Sequence, residues 1–320
     1  MNLFNRALRL FLIITAVISS GIAACAWIFS RLILSPPAVP IPSPNQSSTP
    51  LPLEEVHFPA SQDGLRISGW FLPQKRGKKS PVMILVHGWP WNRTGEDRKD
   101  WLGNLIKAEK VDLLKLAHDF HKDGYGVLLY DMRNHGESAS TNGGVTFGVT
   151  EALDLLGAIN WLGTRSDTDM EKIGVTGFSM GANTALFAAT HTDRIKAIAA
   201  VQPTTPLLFA RRFATYLTGP FGMPVVWLGN FFVKLFGGMP LEDIDLMSAV
   251  PHIKDTPILY LQGAGDPFGS VDDVQSMGAV TPELVDVIIA TETDSRYAGY
   301  TYAVEHPEIV LSYFRDYLNR

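Results

Sequence analysis

The sequence predicts an α/β fold with a mostly parallel central sheet and helices on both of its faces. Short, continuously apolar runs of β-forming residues alternate along the chain with longer segments whose apolar residues recur at helical spacing. Helical crossovers let consecutive strands run parallel, and a strand covered on both faces is apolar at every position. An apolar N-terminal segment and a proline-rich stretch precede this alternation.

The composition excludes some classes of partner. The 320 residues carry a formal net charge of −5, and no tract rich in lysine and arginine occurs. Nucleic acid is therefore not an expected partner, because polyanion binding needs a clustered basic surface. The sequence holds one cysteine, Cys25, so an internal disulfide cannot form.

The first element predicted is a membrane-spanning helix. No charged residue occurs from Leu10 to Ser30, and these 21 residues would span about 31 Å as a helix, the thickness of the hydrocarbon core of a bilayer. Arg6 and Arg9 precede the run and Arg31 follows it, which favours a cytoplasmic N-terminus. We therefore expect a single-pass membrane protein whose catalytic domain lies on the non-cytoplasmic side.

Two alternatives for this segment stay open at the level of sequence. A cleaved secretory signal has a shorter apolar region, of about 7–15 residues. The run Ile22–Cys25 resembles a bacterial lipoprotein processing site, which would make Cys25 a lipidated N-terminus. The apolar run continues through Ala26–Phe29, where a released lipoprotein would turn polar, and this favours an uncleaved anchor.

The next segment is a stiff linker. Ser35 to Pro52 contains seven prolines among 18 residues, a composition that favours extended polyproline conformations and cannot pack a core. The predicted organisation is therefore an anchor over residues 1–34, a linker over 35–52 and a folded domain over 53–320.

The elements of the folded domain follow from the same periodicities. The predicted strands are Leu65–Leu72, Val82–Val86, Val127–Tyr130, Ile173–Thr176, Ala197–Val201, Ile258–Leu261 and Val285–Ile289. The predicted helices are Val111–Lys122, Glu151–Leu162, Ala182–Ala189 and Glu308–Leu318. Reactive groups of such sheets lie at the carboxyl ends of the strands, so the residues just after each strand are the candidates for a site.

The strongest candidate is a serine between a strand and a helix. Gly177-Phe178-Ser179-Met180-Gly181 has the pattern G-x-S-x-G, and it follows one predicted strand directly. On such a sharp turn the hydroxyl of Ser179 stands clear of the sheet, and no room is left for side chains at Gly177 and Gly181. The backbone N–H of Met180, at the start of the next helix, faces a developing oxyanion.

A serine hydroxyl needs a base, and the base needs an orienting acid. Asp266 follows the predicted strand Ile258–Leu261 in a loop of small residues. His306 is the one histidine after Asp266, and it lies in the predicted loop before the last helix. The order Ser179, Asp266, His306 predicts a catalytic triad. The alternatives are a turn-forming aspartate before Pro267 and a helix-start residue at His306.

From Leu53 to Arg320 the chain resembles the α/β-hydrolase superfamily. Besides the triad, His87-Gly88-Trp89-Pro90 is similar to the oxyanion loop of that family, and the resemblance implies that the Trp89 N–H partners the Met180 N–H. The segment Asp131–Ser138 is similar to the loop that follows the fourth sheet strand in that family. The resemblance implies that Arg133 and His135 are structural and hold loops beneath the site.

The resemblance implies acyl transfer to water through an acyl-enzyme on Ser179, with no metal or organic cofactor. The turn that carries Ser179 is called the nucleophile elbow in this family. Members with an aspartate at this position carry out other chemistry, and Ser179 disfavours those reactions. The family also places a helical lid over the serine, here at about residues 204–250, where aromatic residues are frequent. The expected partners are a small-molecule ester or acyl substrate, which could be lipid-like, and a membrane bound through the N-terminal helix.

Two other functions remain as alternatives. A serine aminopeptidase or acylpeptide hydrolase needs an acidic pocket for a free amine, and Glu242, Asp243 and Asp245 form the one lid cluster that could supply it. A membrane-tethered binding protein could keep the fold without catalysis. One scaffold hosts many chemistries, so the fold alone cannot separate these functions.

Overall fold

The computed structural model describes residues 3–41, 51–74, 79–95 and 99–318, and the side chains from residue 4 onward. Residues 42–50 of the predicted linker lie outside this part of the chain. Eight strands form one mixed sheet, which confirms the predicted α/β class. The strands are β1 (Glu54–Pro59), β2 (Arg66–Leu72), β3 (Ser80–Val86), β4 (Gly126–Tyr130), β5 (Thr168–Phe178), β6 (Ile195–Val201), β7 (Ile258–Gly263) and β8 (Leu284–Ala290).

The strand order in the sheet is β1-β2-β4-β3-β5-β6-β7-β8. Strand β2 runs antiparallel to both of its neighbours, with Gly69 opposite Tyr130 in its pairing with β4. From β4 to β8 every neighbouring pair is parallel. The parallel strands therefore present their carboxyl ends along a single edge, where β5, β6, β7 and β8 are followed by the loops that carry the candidate site.

Helices cover both faces of the sheet. In chain order they are α1 (Leu3–Leu34), α2 (Trp101–Ile106), α3 (Leu113–Lys122), α4 (Glu151–Leu162), α5 (Met180–Ala189), α6 (Pro206–Thr218), α7 (Gly222–Leu235), α8 (Leu246–Ala249), α9 (Val271–Ala279), α10 (Ala298–Glu305) and α11 (Pro307–Leu318). Helices α4, α5 and α9 pack on one face, and α3, α10 and α11 pack on the other.

Strand β3 shows why the core has two halves. Val82, Ile84 and Val86 point into the hydrophobic cluster of α4 and α5, whereas Met83 and Leu85 point into the cluster of α3 and α11. All five side chains are fully buried. Each such side chain stabilises the fold by about 1.5–3 kcal/mol through removal from water, so the continuous apolar run is a direct consequence of cover on both faces.

Local signals fix the helix ends. The side chain of Asp112 accepts a hydrogen bond from the Lys115 N–H and so begins α3. The chain then leaves the helix through Gly124, whose φ of +100° is open to glycine and unfavourable for other residues.

The N-terminal helix α1 has 32 residues. Within the described residues it is the one helix long and apolar enough to cross a membrane. A signal sequence passes the same test, because both need a long apolar helix near the N-terminus. The last turns of α1 pack against α7 through Ala26 and Phe29, which lie on Gly229.

The insertion between β6 and β7 is helical, as the sequence analysis expected for residues 204–250. It consists of α6, α7 and α8, joined by short 3-10 turns at residues 219–221 and 241–243. Its aromatic residues do not share one role. Phe209 and Phe213 of α6 pack on Phe268 beside the candidate site, whereas Trp227 and Phe231 of α7 are exposed.

The segment between β8 and the last helix differs from the prediction. It was expected to be a loop, and the structure places α10 within it. The side chain of Tyr297, the residue before this helix, makes no capping hydrogen bond, so the sequence has no start signal of the usual kind. This helix decides where His306 lies.

Candidate active site

Ser179 sits on a strained turn between β5 and α5. Its backbone φ is +49° and its ψ is −109°, a conformation that costs a non-glycine residue about 1–3 kcal/mol. A Cβ added to Gly177 would lie 2.3 Å from the Gly181 carbonyl oxygen, and one added to Gly181 would lie 2.2 Å from the Val86 oxygen. The close approach of three backbone segments therefore requires both glycines.

The two backbone N–H groups predicted as oxyanion donors belong to two separate segments beside Ser179. Met180 is the first residue of α5, so its backbone N–H has no partner within the helix and carries the positive end of the helix dipole. Gly88 packs on the serine, since a Cβ added to it would lie 3.6 Å from the Ser179 Cβ. Trp89 follows Gly88 and lines the same pocket as Ser179 and Met180.

His87 holds the oxyanion loop in place. Its Nδ1–H donates to the Gly88 carbonyl over 2.9 Å, and its Nε2 accepts from the Met132 N–H over 3.1 Å. Burial, and after it the neighbouring His135, lower the pKa of His87 to about 3. The ring is therefore neutral, and both of its nitrogens are used for structure.

Arg133 lies beneath the site in a buried ion pair. Its guanidinium donates to the Asp154 carboxylate over 2.8 and 2.9 Å and to Asp63 over 2.8 Å. Burial raises the pKa of Asp154 to about 7, and the arginine opposes this shift. Breaking such a buried pair leaves a charge without compensation, which costs about 3–5 kcal/mol.

Asp266 lies where the sequence places it, in the loop after β7. Its carboxylate accepts from the Gln202 side-chain amide over 2.9 Å and from the Phe268 N–H over 3.0 Å. Burial raises the pKa of Asp266, and the positive charge of Arg296 and these hydrogen bonds act in the opposite direction. The same Gln202 amide donates to the Arg296 carbonyl, so it ties the acid to the loop after β8.

The structure does not bring His306 to Ser179 or Asp266. Its Nε2 lies 3.1 Å from the Glu292 carboxylate and its Nδ1 lies 3.4 Å from that of Glu308, and the side chain is 38 % exposed. The physical reason is α10, whose eight residues carry the chain about 12 Å along the helix axis before His306 is reached. The predicted role of His306 as base is therefore not supported by this arrangement.

Arg296 lies beside Asp266 instead, and sequence reasoning missed it. It comes six residues after the end of β8 and lines the Ser179 pocket. Its Cζ is 4.6 Å from the ring centre of Tyr297, 5.1 Å from that of Phe268 and 5.4 Å from that of Phe209. Its position in the sequence could have indicated it, because the third triad residue is expected in the first loop after β8, and Arg296 lies in that loop.

Tyr300 completes the floor of the site. It is buried on α10, and its hydroxyl lies near the Ser179 side chain. Burial raises the pKa of Tyr300 to about 12, and the contact with Ser179 lowers it. The phenol is therefore neutral near pH 7, a state in which it can donate a hydrogen bond and cannot act as a base.

Two cavities meet at Arg296. The pocket over Ser179 has a volume of about 20 Å³, room for about one water molecule. A second cavity of about 210 Å³ lies beyond Arg296 and Ile106, with Phe213 and Tyr216 of α6 in its wall. The aromatic residues of α6 therefore line a space large enough for a small acyl group.

The acidic cluster of the aminopeptidase alternative lies elsewhere. Glu242 lines a groove on the outer side of α7, and Asp245 begins α8 by accepting from the Ser248 N–H. Neither these residues nor Asp243 lines the two cavities at Arg296. The structure therefore gives this cluster no contact with the candidate site.

Comparisons with known proteins agree with this geometry. A sequence model of the X-Pro dipeptidyl-peptidase family (S15) matches residues 63–209. An uncharacterised protein of Mycobacterium tuberculosis (strain CDC 1551 / Oshkosh) is 32 % identical over 179 residues, which are 56 % of this chain and 55 % of that protein. The thiohydrolase aneE of Aspergillus aculeatus is 29 % identical over 150 residues, 47 % of this chain and 41 % of that protein. The matches thus span about half the length of these relatives.

Among solved structures, an esterase of Pyrococcus furiosus is similar over nearly the whole domain. The comparison covers 89 % of this chain and 98 % of the esterase, with a TM-score of 0.64 and 25 % identity. The sheet order, the strained serine between β5 and α5 and these likenesses agree with one another. The chain belongs to the α/β-hydrolase superfamily.

Proposed function

We propose that the protein is a serine hydrolase that cleaves carboxylic esters or thioesters through an acyl-enzyme on Ser179. The observation that carries this proposal is the backbone of Ser179, which keeps a strained φ of +49° at the pocket floor. Strain of this kind persists where function requires it, because a relaxed turn would be more stable. The Met180 N–H and the loop of Trp89 supply the oxyanion donors.

The proposed reaction has two steps. The Ser179 oxygen attacks the acyl carbon, the bond from that carbon to the leaving oxygen or sulfur breaks, and the serine proton ends on the leaving group. Water then attacks the acyl-enzyme, which releases the carboxylic acid and restores the hydroxyl. No histidine of the described residues lines the Ser179 pocket, so a thioester, whose thiolate leaves without prior protonation, is a more suitable substrate than an alkyl ester.

The names of similar proteins support this substrate class. The Pyrococcus furiosus protein is an esterase, and the Aspergillus aculeatus protein is a thiohydrolase. Both names describe hydrolysis of an acyl group bound to oxygen or sulfur, and the cavity beyond Arg296 has the size for a short acyl chain.

A second candidate is a membrane-tethered binding protein of the same fold. The observation that favours it is the wall of the Ser179 pocket, which within the described residues contains Arg296 and no histidine. Loss of the base reduces turnover by several orders of magnitude in triad enzymes, while binding and the oxyanion donors remain. The two candidates differ in turnover and agree on the ligand pocket.

Hydrolysis by the full chain in detergent separates the two candidates. The rates for p-nitrophenyl butyrate and for a butyryl thioester are measured for the wild type and for Ser179→Ala. Turnover that Ser179→Ala abolishes supports the hydrolase. Turnover that survives in Ser179→Ala contradicts the proposal, and binding of butyrate without turnover favours the second candidate.

A further inference from the structure

The Arg296 guanidinium has buried donors without acceptors. Within the described residues its Nε and Nη1 are shielded from solvent and make no hydrogen bond. A buried donor without a partner is unfavourable, most of all on a charged group, and such groups are found where a ligand or an ordered water supplies the acceptor. Arg296 lines both the Ser179 pocket and the larger cavity next to it.

Aromatic rings hold this guanidinium in place. Its Cζ lies 4.6 Å from the ring centre of Tyr297 and 5.1 Å from that of Phe268. Stacking on rings uses the faces of the guanidinium and leaves its N–H edge for hydrogen bonds. The arginine is therefore held in one position before a ligand binds, which lowers the entropy cost of binding.

The carboxylates near Arg296 do not accept hydrogen bonds from its Nε and Nη1. Asp266 accepts from Gln202 and the Phe268 N–H, and no ion pair within 4.0 Å joins it to Arg296. Glu109 and Asp294 line the larger cavity, together with Lys107. Arg296 also forms no ion pair with either of these two acids in the described part of the chain.

We propose that Arg296 binds a carboxylate of the ligand that occupies the Ser179 pocket. A charged guanidinium with unused donors forms short, strong hydrogen bonds to a carboxylate, so the substrates are acyl compounds with a second, anionic carboxylate. This inference rests on the proposed hydrolase function, and it assigns Arg296 to substrate binding at the position beside Asp266.

A matched pair of four-carbon esters tests the inference on the full chain in detergent. Mono-p-nitrophenyl succinate carries a terminal carboxylate that p-nitrophenyl butyrate lacks. The ratio of their kcat/KM values, each corrected for spontaneous hydrolysis, is measured for wild type, Arg296→Gln, Arg296→Lys and His306→Gln. We expect Arg296→Gln to lower the ratio by about 10-fold or more, since it removes a charged hydrogen-bond donor. Arg296→Lys keeps part of the preference, and His306→Gln keeps all of it.

An unchanged ratio in Arg296→Gln overturns the inference. If neither ester is hydrolysed, the proposed function fails while the inference is still tested by calorimetry with succinate and butyrate. Tighter binding of succinate to the wild type, lost in Arg296→Gln, supports the carboxylate site, and equal binding of the two acids overturns it. The comparison of the two acids on the wild type stands even if Arg296→Gln does not fold.

A separate observation concerns the packing of α1 on α7. A Cβ added to Gly229 of α7 would lie 2.4 Å from the Phe29 ring, and the ring of Trp27 meets that of Phe236 edge-on at 5.4 Å. In the last turns of α1, Ala26, Ser30 and Ile33 are buried, and their spacing places them on one face of the helix. Residues 4–21 of α1 are exposed and span about 27 Å as a helix.

The other face of α7 is an exposed apolar stripe. Trp227 is 75 % exposed, Phe231 52 % and Leu235 60 %, and their spacing of four residues places them on one side of the helix. Arg211, Lys234 and Glu242 line the groove beside this stripe, so the charge there is positive on balance. Tryptophan and phenylalanine with nearby basic residues suit the interface between lipid tails and anionic headgroups.

We infer that the stripe Trp227, Phe231 and Leu235 lies against the surface of the bilayer that α1 enters. The packing of α7 on the end of α1 identifies the occupant as lipid, because an α1 that enters the bilayer through its exposed, uncharged residues 10–21 brings α7 to the membrane surface.

Spin labels on the full chain in anionic lipid nanodiscs test this position. Labels are placed by Trp227→Cys and, as a control on the exposed surface of α11, by Ser312→Cys, both in a Cys25→Ala background. We expect the label at position 227 to collide more with oxygen, which concentrates in lipid, and the label at 312 to collide more with a water-soluble nickel chelate. A label at 227 as accessible to nickel as the one at 312 overturns the inference.

Discussion

The guanidinium of Arg296 lies within electrostatic reach of the Asp266 carboxylate, where it opposes the rise in the pKa of that acid. Gln202 binds both the Asp266 side chain and the Arg296 backbone, so the two residues are held together. The candidate site thus combines Ser179, the proposed nucleophile, with Asp266, and Arg296 lies beside that acid. An arginine stays protonated in proteins and cannot accept the serine proton.

Arg296→His is expected to increase hydrolysis. An imidazole beside Asp266, in the wall of the Ser179 pocket, could take the proton of Ser179 and be oriented by the acid. We expect kcat for p-nitrophenyl butyrate to rise by about 100-fold or more, the usual size of general-base catalysis. The double variant with Asp266→Asn provides the control, because the gain requires the acid; a gain that persists in the double variant, or no gain at all, argues against this placement.

His306→Ala is expected to leave hydrolysis within about two-fold of the wild type. The reason is its surface position, where it contacts Glu292 and Glu308 and neither Ser179 nor Asp266. Steady-state kinetics on a butyryl ester checks this, with Ser179→Ala as the inactive reference. A loss in His306→Ala as large as in Ser179→Ala would restore His306 as the catalytic base.

Gly181→Ala is expected to destabilise the elbow and abolish hydrolysis. Its new methyl group would lie 2.2 Å from the Val86 carbonyl oxygen, and relief of such overpacking costs about 1–3 kcal/mol. Gly143→Ala is the matched control, because the nearest atom to its Cβ is 4.0 Å away. Chemical unfolding in detergent measures both variants, and equal midpoints for the two would contradict the close approach at Gly181.

The pKa of His87 predicts a dependence of stability on pH. It is lowered from 6.5 to about 3 in the folded chain, so the unfolded chain binds a proton first as the pH falls. The contribution of neutral His87 to the free energy of unfolding is complete above pH 6.5. It is lost as the pH falls from 6.5 to 3, by at most about 1.4 kcal/mol per pH unit. His87→Gln should therefore show a flatter free energy of unfolding against pH over this range.

The matching exchange at an exposed histidine, His191→Gln, serves as the control for this measurement. It should keep the slope of the wild type. If His87→Gln and the wild type lose stability in parallel as the pH falls, His87 is protonated in the folded state and the assignment of its two hydrogen bonds is incorrect.

Much of the sheet was predictable because its strands are apolar on both faces. Val82–Val86, for example, lies within β3, and Ile258–Leu261 lies within β7. The turn at Ser179 was equally predictable from the sequence, because the pattern G-x-S-x-G occurs there between a predicted strand and a predicted helix. Strand β1 was not predicted as a separate element, since its exposed edge positions break the apolar run.

The place of the third triad residue could not be predicted from the order of residues alone. His306 satisfies the order Ser, Asp, His, yet α10 lies between it and β8. The segment Ala298–Glu305 has neither a capping side chain before it nor a charged face, so it looks like a loop in sequence. Its helical form follows from tertiary packing of Tyr300 and Ala303 on the core.

The most direct test of the central proposal is covalent labelling of the full chain with a fluorophosphonate probe, followed by mass spectrometry of the modified residue. We predict that the label maps to Ser179, that Ser179→Ala removes it, and that His306→Ala does not. Labelling of folded protein at any other residue, or none after prolonged incubation, would contradict an activated nucleophile at Ser179.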